Sequence, residues 1–167
     1  VLVWPAVRGG GELDDAWWHE GRLLKKQNTY RDLASVAEYL HDQGISSPQQ
    51  TGITGWSNGG LSAAATAIAH PHLFRLSVPG NGVHDMMNKK RLDFRFDGWE
   101  REYGDETSDE FKEYIRSYSP VATTKEAEYP SFLVLAGESD TRVNPAHSYK
   151  LVDRLQSLQQ GTSPILL

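Results

Sequence analysis

The 167-residue sequence has no cysteine, no long apolar run and no excess of basic residues. Without cysteine, disulfide bonds, thiolate metal sites and a cysteine nucleophile are all excluded. No apolar run approaches the ~20 residues of a membrane-spanning helix, so we expect no membrane partner. The formal net charge of −5 argues against nucleic acid as a partner, because phosphate binding needs clustered Lys and Arg side chains.

The length predicts roughly one domain with a sizeable core. The sequence starts at Val1 rather than at a methionine, its opening VLVW is typical of a strand interior, and its last residues, SPILL, are again apolar. We therefore expect a segment of a longer reading frame, truncated at both ends. No signal peptide is visible, and the lack of cysteine does not decide the compartment. We expect the cytoplasm, with the periplasm as the alternative.

Strand and helix patterns alternate along the chain. Short apolar runs predict strands at 1–4, 51–56 and 132–136. Helix patterns follow at 30–43, where Gly44 is a plausible stop, and at 59–69 and 145–158. This alternation predicts an α/β fold whose mostly parallel sheet carries helices on both faces. The run at 132–136 is continuously apolar, which is typical of a strand buried on both faces. Residues 80–125 fit poorly and are expected to form an excursion from the sheet.

The segment GITGWSNGGL places one serine, Ser57, where the strand pattern gives way to the helix pattern. A nucleophilic serine needs a tight bend there, because its Oγ must project from the edge of the sheet. Gly55 and Gly59 are expected to let the strand and the helix pass closely. The helix N-terminus then points free N–H groups at a developing negative charge. The pattern predicts an α/β-hydrolase fold with Ser57 as nucleophile, although a bare G-x-S-x-G also occurs in ordinary turns.

A serine nucleophile needs a histidine base and an acid that orients it. In this fold the order along the chain is serine, acid, histidine, with the last two on loops after later strands. Asp140 lies just beyond the predicted strand at 132–136 and is the predicted acid, with Glu138 as the competitor. The alternative is an ordinary loop aspartate that pairs with Arg142.

None of the six histidines is a convincing base. Only His147 follows Asp140, and it lies at the start of a predicted helix rather than on a separate strand loop. The HPH at 70–72 offers two imidazoles to a metal, but an exposed helix end explains them better, and we predict no metal site. The apolar residues 165–167 predict a last strand before the loop that should carry the base. We therefore expect the catalytic histidine beyond the last residue of this sequence.

Several stretches together resemble the catalytic domain of the prolyl oligopeptidase family of serine peptidases. They occur in the family's order and cover nearly the whole chain: RGGGE, YRDLASVAEYL, GITGWSNGGL, HPHLF, VHDMM, WEREYGDE, YSPVATT and YPSFLVLAGESDTRVNPAHSYKLVDRLQ. Two stretches depart from the family pattern. Trp56 replaces a small residue before the serine, and ELDDAWWHEG is less regular than usual. The resemblance implies that residues 1–167 are a partial catalytic domain, without the early strands, the histidine loop and the propeller domain.

The resemblance also implies roles for matching positions. Ser57 would be the nucleophile, and Asp140 would orient the histidine. The backbone N–H of Asn58 would stabilise the oxyanion. Trp99, in W-x-x-E-Y-G, would stack on a substrate proline, unless it is one more core aromatic. Arg142 would hold a substrate carbonyl through its fixed fork of donors.

The expected function is hydrolysis of short peptides, preferentially after proline, through an acyl-enzyme on Ser57 and without a cofactor. Alone, the 167 residues should have little or no turnover, because a triad member is missing. The alternatives are an esterase of the same fold and a non-catalytic truncated homologue. If neither Trp99 nor Arg142 lies beside Ser57, the peptidase specificity loses its support.

Overall fold

The computed structural model describes residues 1–93 and 98–167, so residues 94–97 of the predicted excursion lie outside the described residues. Its centre is a parallel sheet with the strand order β1-β2-β3-β4. The strands are β1 (Gly52–Trp56), β2 (Leu76–Gly80), β3 (Ser131–Leu133) and β4 (Ile165–Leu166). Parallel neighbours need crossover connections, and the intervening helices supply them.

Helices α3 and α8 lie against this sheet, and α2 packs on α3. The α-helices are α1 (Asp15–His19), α2 (Gln27–Asp42), α3 (Asn58–Ala69), α4 (Lys89–Leu92), α5 (Trp99–Tyr103), α6 (Asp109–Arg116), α7 (Pro120–Thr123) and α8 (Ala146–Leu158). Short 3₁₀ helices occur at Leu23–Lys25, Pro71–Leu73 and Met86–Asn88. None of the helices in the described part of the chain is long and apolar enough to span a membrane.

The predicted stop of α2 at Gly44 is confirmed. Gly44 adopts a φ of +66°, a left-handed conformation that glycine reaches without steric cost. Its N–H donates to the carbonyl of His41 at 3.0 Å, and the N–H of Ile45 donates to that of Leu40 at 2.9 Å. These bonds satisfy carbonyls that the end of the helix would otherwise leave unpaired.

Two strand predictions differ from the structure. Residues 1–4 do not form a strand, and the side chains of Val1, Leu2 and Trp4 are exposed. A strand needs a neighbouring strand for its backbone hydrogen bonds. Residues 1–4 are not part of the described sheet, in which β1 pairs with β2. Strand β2 was missed, because the proline and glycine of its sequence LSVPG weaken the apolar pattern.

Helices cover one face of the sheet. Side chains in matching register point to α3 and α8 on that face: Ile53, Ser77, Phe132 and Ile165. The opposite face leaves Trp56 and Leu166 59% and 53% exposed. The prediction that the 132–136 strand is buried on both faces is therefore wrong, since Phe132 is buried but Leu133 is 38% exposed. The parallel α/β architecture is confirmed, with its described helices against one face.

The excursion after β2 packs over the N-terminal half of α3 and forms a second core. Buried members of this core come from α2, from α3, from the excursion and from the loop before α8: Tyr30, Leu61, Ala65, Val83, Met86, Tyr103, Ile115, Tyr118 and Val143. Two buried lysines support the excursion: Lys26, just before α2, pairs with Glu102 of the excursion, and Lys89 pairs with Glu106 within it. This second core lies at the carboxyl end of β1, where the predicted nucleophile is located.

Candidate active site

Ser57 occupies the sharp turn between β1 and α3. Its φ of 57° and ψ of −119° lie outside the regions that residues with a Cβ usually adopt. Its N–H donates to the carbonyl of Gly80 at 2.9 Å, and its carbonyl accepts the N–H of Leu61 at 3.0 Å. A backbone held in this way stores about 1–3 kcal/mol of strain, and such strain is concentrated at functional sites.

Gly55 and Gly60 provide the space for this turn. A Cβ on Gly55 would lie 2.2 Å from the carbonyl oxygen of Gly59, and one on Gly60 would lie 2.5 Å from that of Gly80. A Cβ on Gly59 would meet no described atom within 4 Å. The prediction that Gly59 itself must lack a side chain is therefore wrong. The second required glycine is Gly60, which faces the end of β2.

Helix α3 begins at Asn58, directly after Ser57. The N–H groups of a first helical turn have no intrahelical partner, and the helix dipole makes this end electropositive. The Asn58 side chain is fixed, because its Oδ1 accepts a hydrogen bond from the Tyr103 hydroxyl at 2.8 Å. Burial raises the pKa of Tyr103 well above its ordinary value, so the hydroxyl keeps its proton at neutral pH. The backbone N–H of Asn58 stays the predicted oxyanion donor.

Asp140 lies at the same end of the sheet as Ser57. Ser57 follows the carboxyl end of β1, and Asp140 follows the segment that continues β3. Asn81 follows β2, which lies between these two strands in the sheet. The N–H of Asn81 donates to the carbonyl of Leu135 at 2.8 Å. Its side-chain amide donates to Asp140 Oδ2. A hydrogen-bonded path through the end of β2 thus joins the serine turn to the aspartate.

Backbone and side-chain donors surround the carboxylate of Asp140. Its Oδ1 accepts the N–H groups of Arg142 and Val143 at 2.8 and 3.0 Å, in addition to the Asn81 amide on Oδ2. Burial alone would raise the pKa of Asp140, but these hydrogen bonds together outweigh burial and lower it below its ordinary value. Asp140 is therefore ionised at neutral pH, as an acid that orients a histidine must be. The competitor Glu138 is exposed.

We expect Asn81→Ala to raise the pKa of Asp140, because one donor to its ionised form is lost. A carboxylate with a depressed pKa stabilises the fold above its unfolded pKa, and this contribution disappears as the pH falls through the folded value. The variant should therefore lose part of its stability at neutral pH. Carboxyl ¹³C NMR titration measures the shift. Asp105, whose pKa is lowered by its bonds to Thr107, is the internal control and should not change. An unchanged Asp140 midpoint would contradict this prediction.

Trp99 and Arg142 lie at the same end of the sheet as the two predicted catalytic residues. The Trp99 ring stacks on Tyr103, with ring centroids 5.5 Å apart and an interplanar angle of 29°. The Tyr103 hydroxyl in turn bonds Asn58, the residue after Ser57. Arg142 is exposed on the Asp140 loop. The substrate-binding roles of Trp99 and Arg142 stay predictions.

Among the described residues, no histidine hydrogen-bonds Ser57. His147 is fully buried, and its ring nitrogens bond Asp93 and the N–H of Asp85. His84 is also fully buried, and neither of its ring nitrogens has a hydrogen-bond partner among the described residues. Burial lowers its pKa to about 3. His19 contacts Trp18, and His41 hydrogen-bonds Thr51. His70 and His72 contact each other. No group of three or more possible metal ligands occurs among the described His, Asp and Glu residues. The base stays a prediction outside this sequence.

Sequence reasoning missed Asn81, Tyr103 and Gly60 as parts of this site. Asn81 would follow from a correct prediction of β2, because polar residues at carboxyl ends of parallel strands share one edge of the sheet. Gly60 stands in the visible pair of glycines after Ser57. Tyr103 reaches the site through a contact 45 residues away in the sequence, which no local pattern indicates.

Comparisons with known proteins place this geometry in a family. The model of the prolyl oligopeptidase family matches residues 1–167. The prolyl endopeptidase of Elizabethkingia meningoseptica is 39% identical over 169 residues, an alignment that covers 100% of this chain and 24% of that protein. The human protein named prolyl endopeptidase-like is 40% identical over 147 residues, covering 86% of this chain and 20% of that protein.

Solved structures agree with this result. A structure from a study of two prolyl endopeptidases superimposes with a TM-score of 0.90 at 35% identity and covers 96% of this chain and 24% of that one. Prolyl oligopeptidase B from Galerina marginata gives a TM-score of 0.88 at 33% identity and covers 96% of this chain and 23% of its own. This chain thus spans about a quarter of the length of such relatives, and it belongs to the prolyl oligopeptidase family.

Proposed function

We propose that this chain is part of the catalytic domain of a serine peptidase that hydrolyses short peptides after proline. One observation carries the proposal: Ser57, in a strained turn at the start of α3, is joined through Asn81 to an ionised Asp140 at the same end of a parallel sheet. A nucleophile and an orienting acid must lie at one end of the sheet, because a single imidazole has to reach both of them.

The proposed reaction begins when the Oγ of Ser57 attacks the peptide carbonyl and passes its proton to a histidine. The N–H of Asn58 stabilises the resulting oxyanion from the electropositive end of α3. The histidine then gives the proton to the leaving amine. In the second step it takes a proton from water, which attacks the acyl-enzyme, and returns that proton to the Oγ of Ser57. Asp140 remains ionised and orients the imidazole throughout.

Support for a preference for proline comes from Trp99 and from the names of the relatives. An indole face offers a flat apolar surface to a pyrrolidine ring, and Trp99 is stacked on a tyrosine that contacts the residue after Ser57. Arg142, on the acid loop, offers a fork of donors to a substrate carbonyl. Relatives named prolyl endopeptidase and prolyl oligopeptidase share this fold.

We further propose that the catalytic histidine and a propeller domain belong to a longer full-length protein. Among the described residues, no histidine hydrogen-bonds Ser57 or Asp140, and the chain spans 24% of the Elizabethkingia meningoseptica protein. On this proposal, the 167 residues alone should show little or no turnover. A triad without its base typically loses several orders of magnitude in rate.

The proposed specificity is tested by Trp99→Ala in the full-length protein. We expect kcat/KM for a peptide with proline before the scissile bond to fall by about 10- to 100-fold, because the ring loses its stacking surface. A matched peptide with alanine at that position is the control and should lose less than about threefold. Equal losses on both peptides would contradict the proline pocket. Hydrolysis of simple esters without cleavage of either peptide would instead support the esterase alternative.

A further inference from the structure

A buried polar pair, His147 and Asp93, lies behind the loop that carries Asp140. Their side chains are 0% and 1% exposed, and His147 Nε2 lies 2.7 Å from Asp93 Oδ2. The other ring nitrogen, Nδ1, accepts the backbone N–H of Asp85 at 3.0 Å. A backbone N–H can only donate, so Nδ1 carries no proton and the ring donates from Nε2 to Asp93.

Asp93 also accepts a hydrogen bond from the Asp140 loop. The N–H of Asn144 donates to Asp93 Oδ1 at 2.8 Å. The loop over residues 140–144 is therefore held at both ends, by Asn81 at its start and by Asp93 at its end. Both of these residues belong to the segment that follows β2. Between the two attachments, Val143 is buried in the second core.

The pair does more than fill the core. A buried carboxylate is costly unless its oxygens are paired, and an apolar pair of similar volume is often as stable or more stable. Here each carboxylate oxygen of Asp93 bonds the region that begins with Asp140, one through the Asn144 N–H and one through the His147 ring. Such directional bonds select one position of the loop, which apolar contacts specify less sharply.

We propose that Asp93 and His147 are positioning residues that hold the 140–144 loop where Asp140 can orient the catalytic histidine. The kinetic consequence rests on the proposed function, whereas the structural consequence rests on the contacts alone. Loss of the pair should lower kcat because the acid is misplaced. KM should rise by a smaller factor, because Arg142 lies on the same loop whereas Ser57 and Trp99 are held by other contacts.

The test uses the full-length protein and a proline peptide. We expect Asp93→Ala to lower kcat by about 10- to 100-fold, with a rise in KM of less than about tenfold from the shift of Arg142 on the same loop. Asp93→Asn keeps the side-chain shape and one acceptor oxygen, so its kcat should lie between those of Asp93→Ala and wild type. In an Asp140→Ala background, Asp93→Ala should cause a further loss of less than about threefold, because both substitutions remove the same function.

Asp32→Ala is the matched control. Asp32 also accepts a backbone N–H, that of Arg8 at 2.9 Å, and pairs with a cationic side chain, but it lies on α2. We expect its kcat to stay within about threefold of wild type. If Asp32→Ala lost as much kcat as Asp93→Ala, the effect at Asp93 would reflect general destabilisation, and the proposal would be overturned.

Two further measurements keep the proposal falsifiable. If Asp93→Ala does not fold, His147→Leu replaces it. This variant removes both the donor to Asp93 and the acceptor for the Asp85 N–H, and an unchanged kcat would overturn the proposal. Amide hydrogen exchange at Arg142 and Val143, whose N–H groups bond Asp140, reads the loop without any activity. These amides should lose protection in the Asp93 or His147 variant. If the wild type lacks peptidase activity, the proposed function fails and this exchange alone decides the positioning role.

Discussion

Ser57→Ala in the full-length protein is expected to lower kcat on a proline peptide by about 10⁴- to 10⁶-fold, with KM within a few-fold of wild type. The methyl side chain cannot form the acyl-enzyme, whereas the turn is fixed by the backbone bonds of residue 57 to Gly80 and Leu61 and does not use the hydroxyl. The fold and the substrate contacts should therefore remain. Only the residual stabilisation by the oxyanion donor and by binding should be left.

A fluorophosphonate probe measures the same prediction directly. It should label the wild type on the peptide that contains residues 52–61 and should not label Ser57→Ala. Ser62→Ala is the control on the same helix: its hydroxyl bonds the carbonyl of Asn58 at 2.9 Å, and its loss should change kcat less than about threefold. A folded full-length wild type that resists the probe would count against Ser57 as nucleophile. So would full activity of the Ser57→Ala variant.

The parts of the fold that sequence predicted are those with local signals. The β1–turn–α3 unit follows from glycines around Ser57 and from the small residues of α3, because close passage of backbones excludes larger side chains. The end of α2 follows from Gly44, where a left-handed φ favours glycine. Asp140 follows from its place after an apolar strand. Each of these signals lies within a few residues of the feature that it predicts.

The parts that sequence did not predict depend on distant partners. Strand β2 is a strand because β1 and β3 pair with it on both sides, although Pro79 weakens its own pattern. Residues 1–4 show the opposite case, a strand pattern without a paired strand in the structure. The link from Asp93 to Asn144 spans 51 residues, and no spacing rule indicates it. Patterning therefore identified the predicted nucleophile and the predicted acid, whereas the contacts that support these two residues needed the tertiary structure.

Gly55→Ala is expected to destabilise the protein and to lower kcat by about 100-fold or more. The new Cβ would lie 2.2 Å from the carbonyl oxygen of Gly59, and a backbone atom cannot move aside as a flexible side chain can. Either β1 or the start of α3 must shift, and both hold Ser57 in its strained turn. Overpacking of this kind typically costs 1–3 kcal/mol of unfolding free energy. Urea denaturation midpoints and kcat on a proline peptide measure the two effects.

Gly59→Ala is the matched control, four residues further along the chain. A Cβ there would meet no described atom within 4 Å, and Gly59 lies in α3, where alanine is favoured over glycine by about 1 kcal/mol. We expect this variant to be as stable as the wild type or more stable, with kcat within about threefold. Equal losses in the two variants would show that the G-x-S-x-G spacing depends on something other than the close approach of β1 to α3. A large loss in Gly55→Ala alone would locate the constraint at the approach of β1 to α3, where Gly55 lies against the backbone of Gly59.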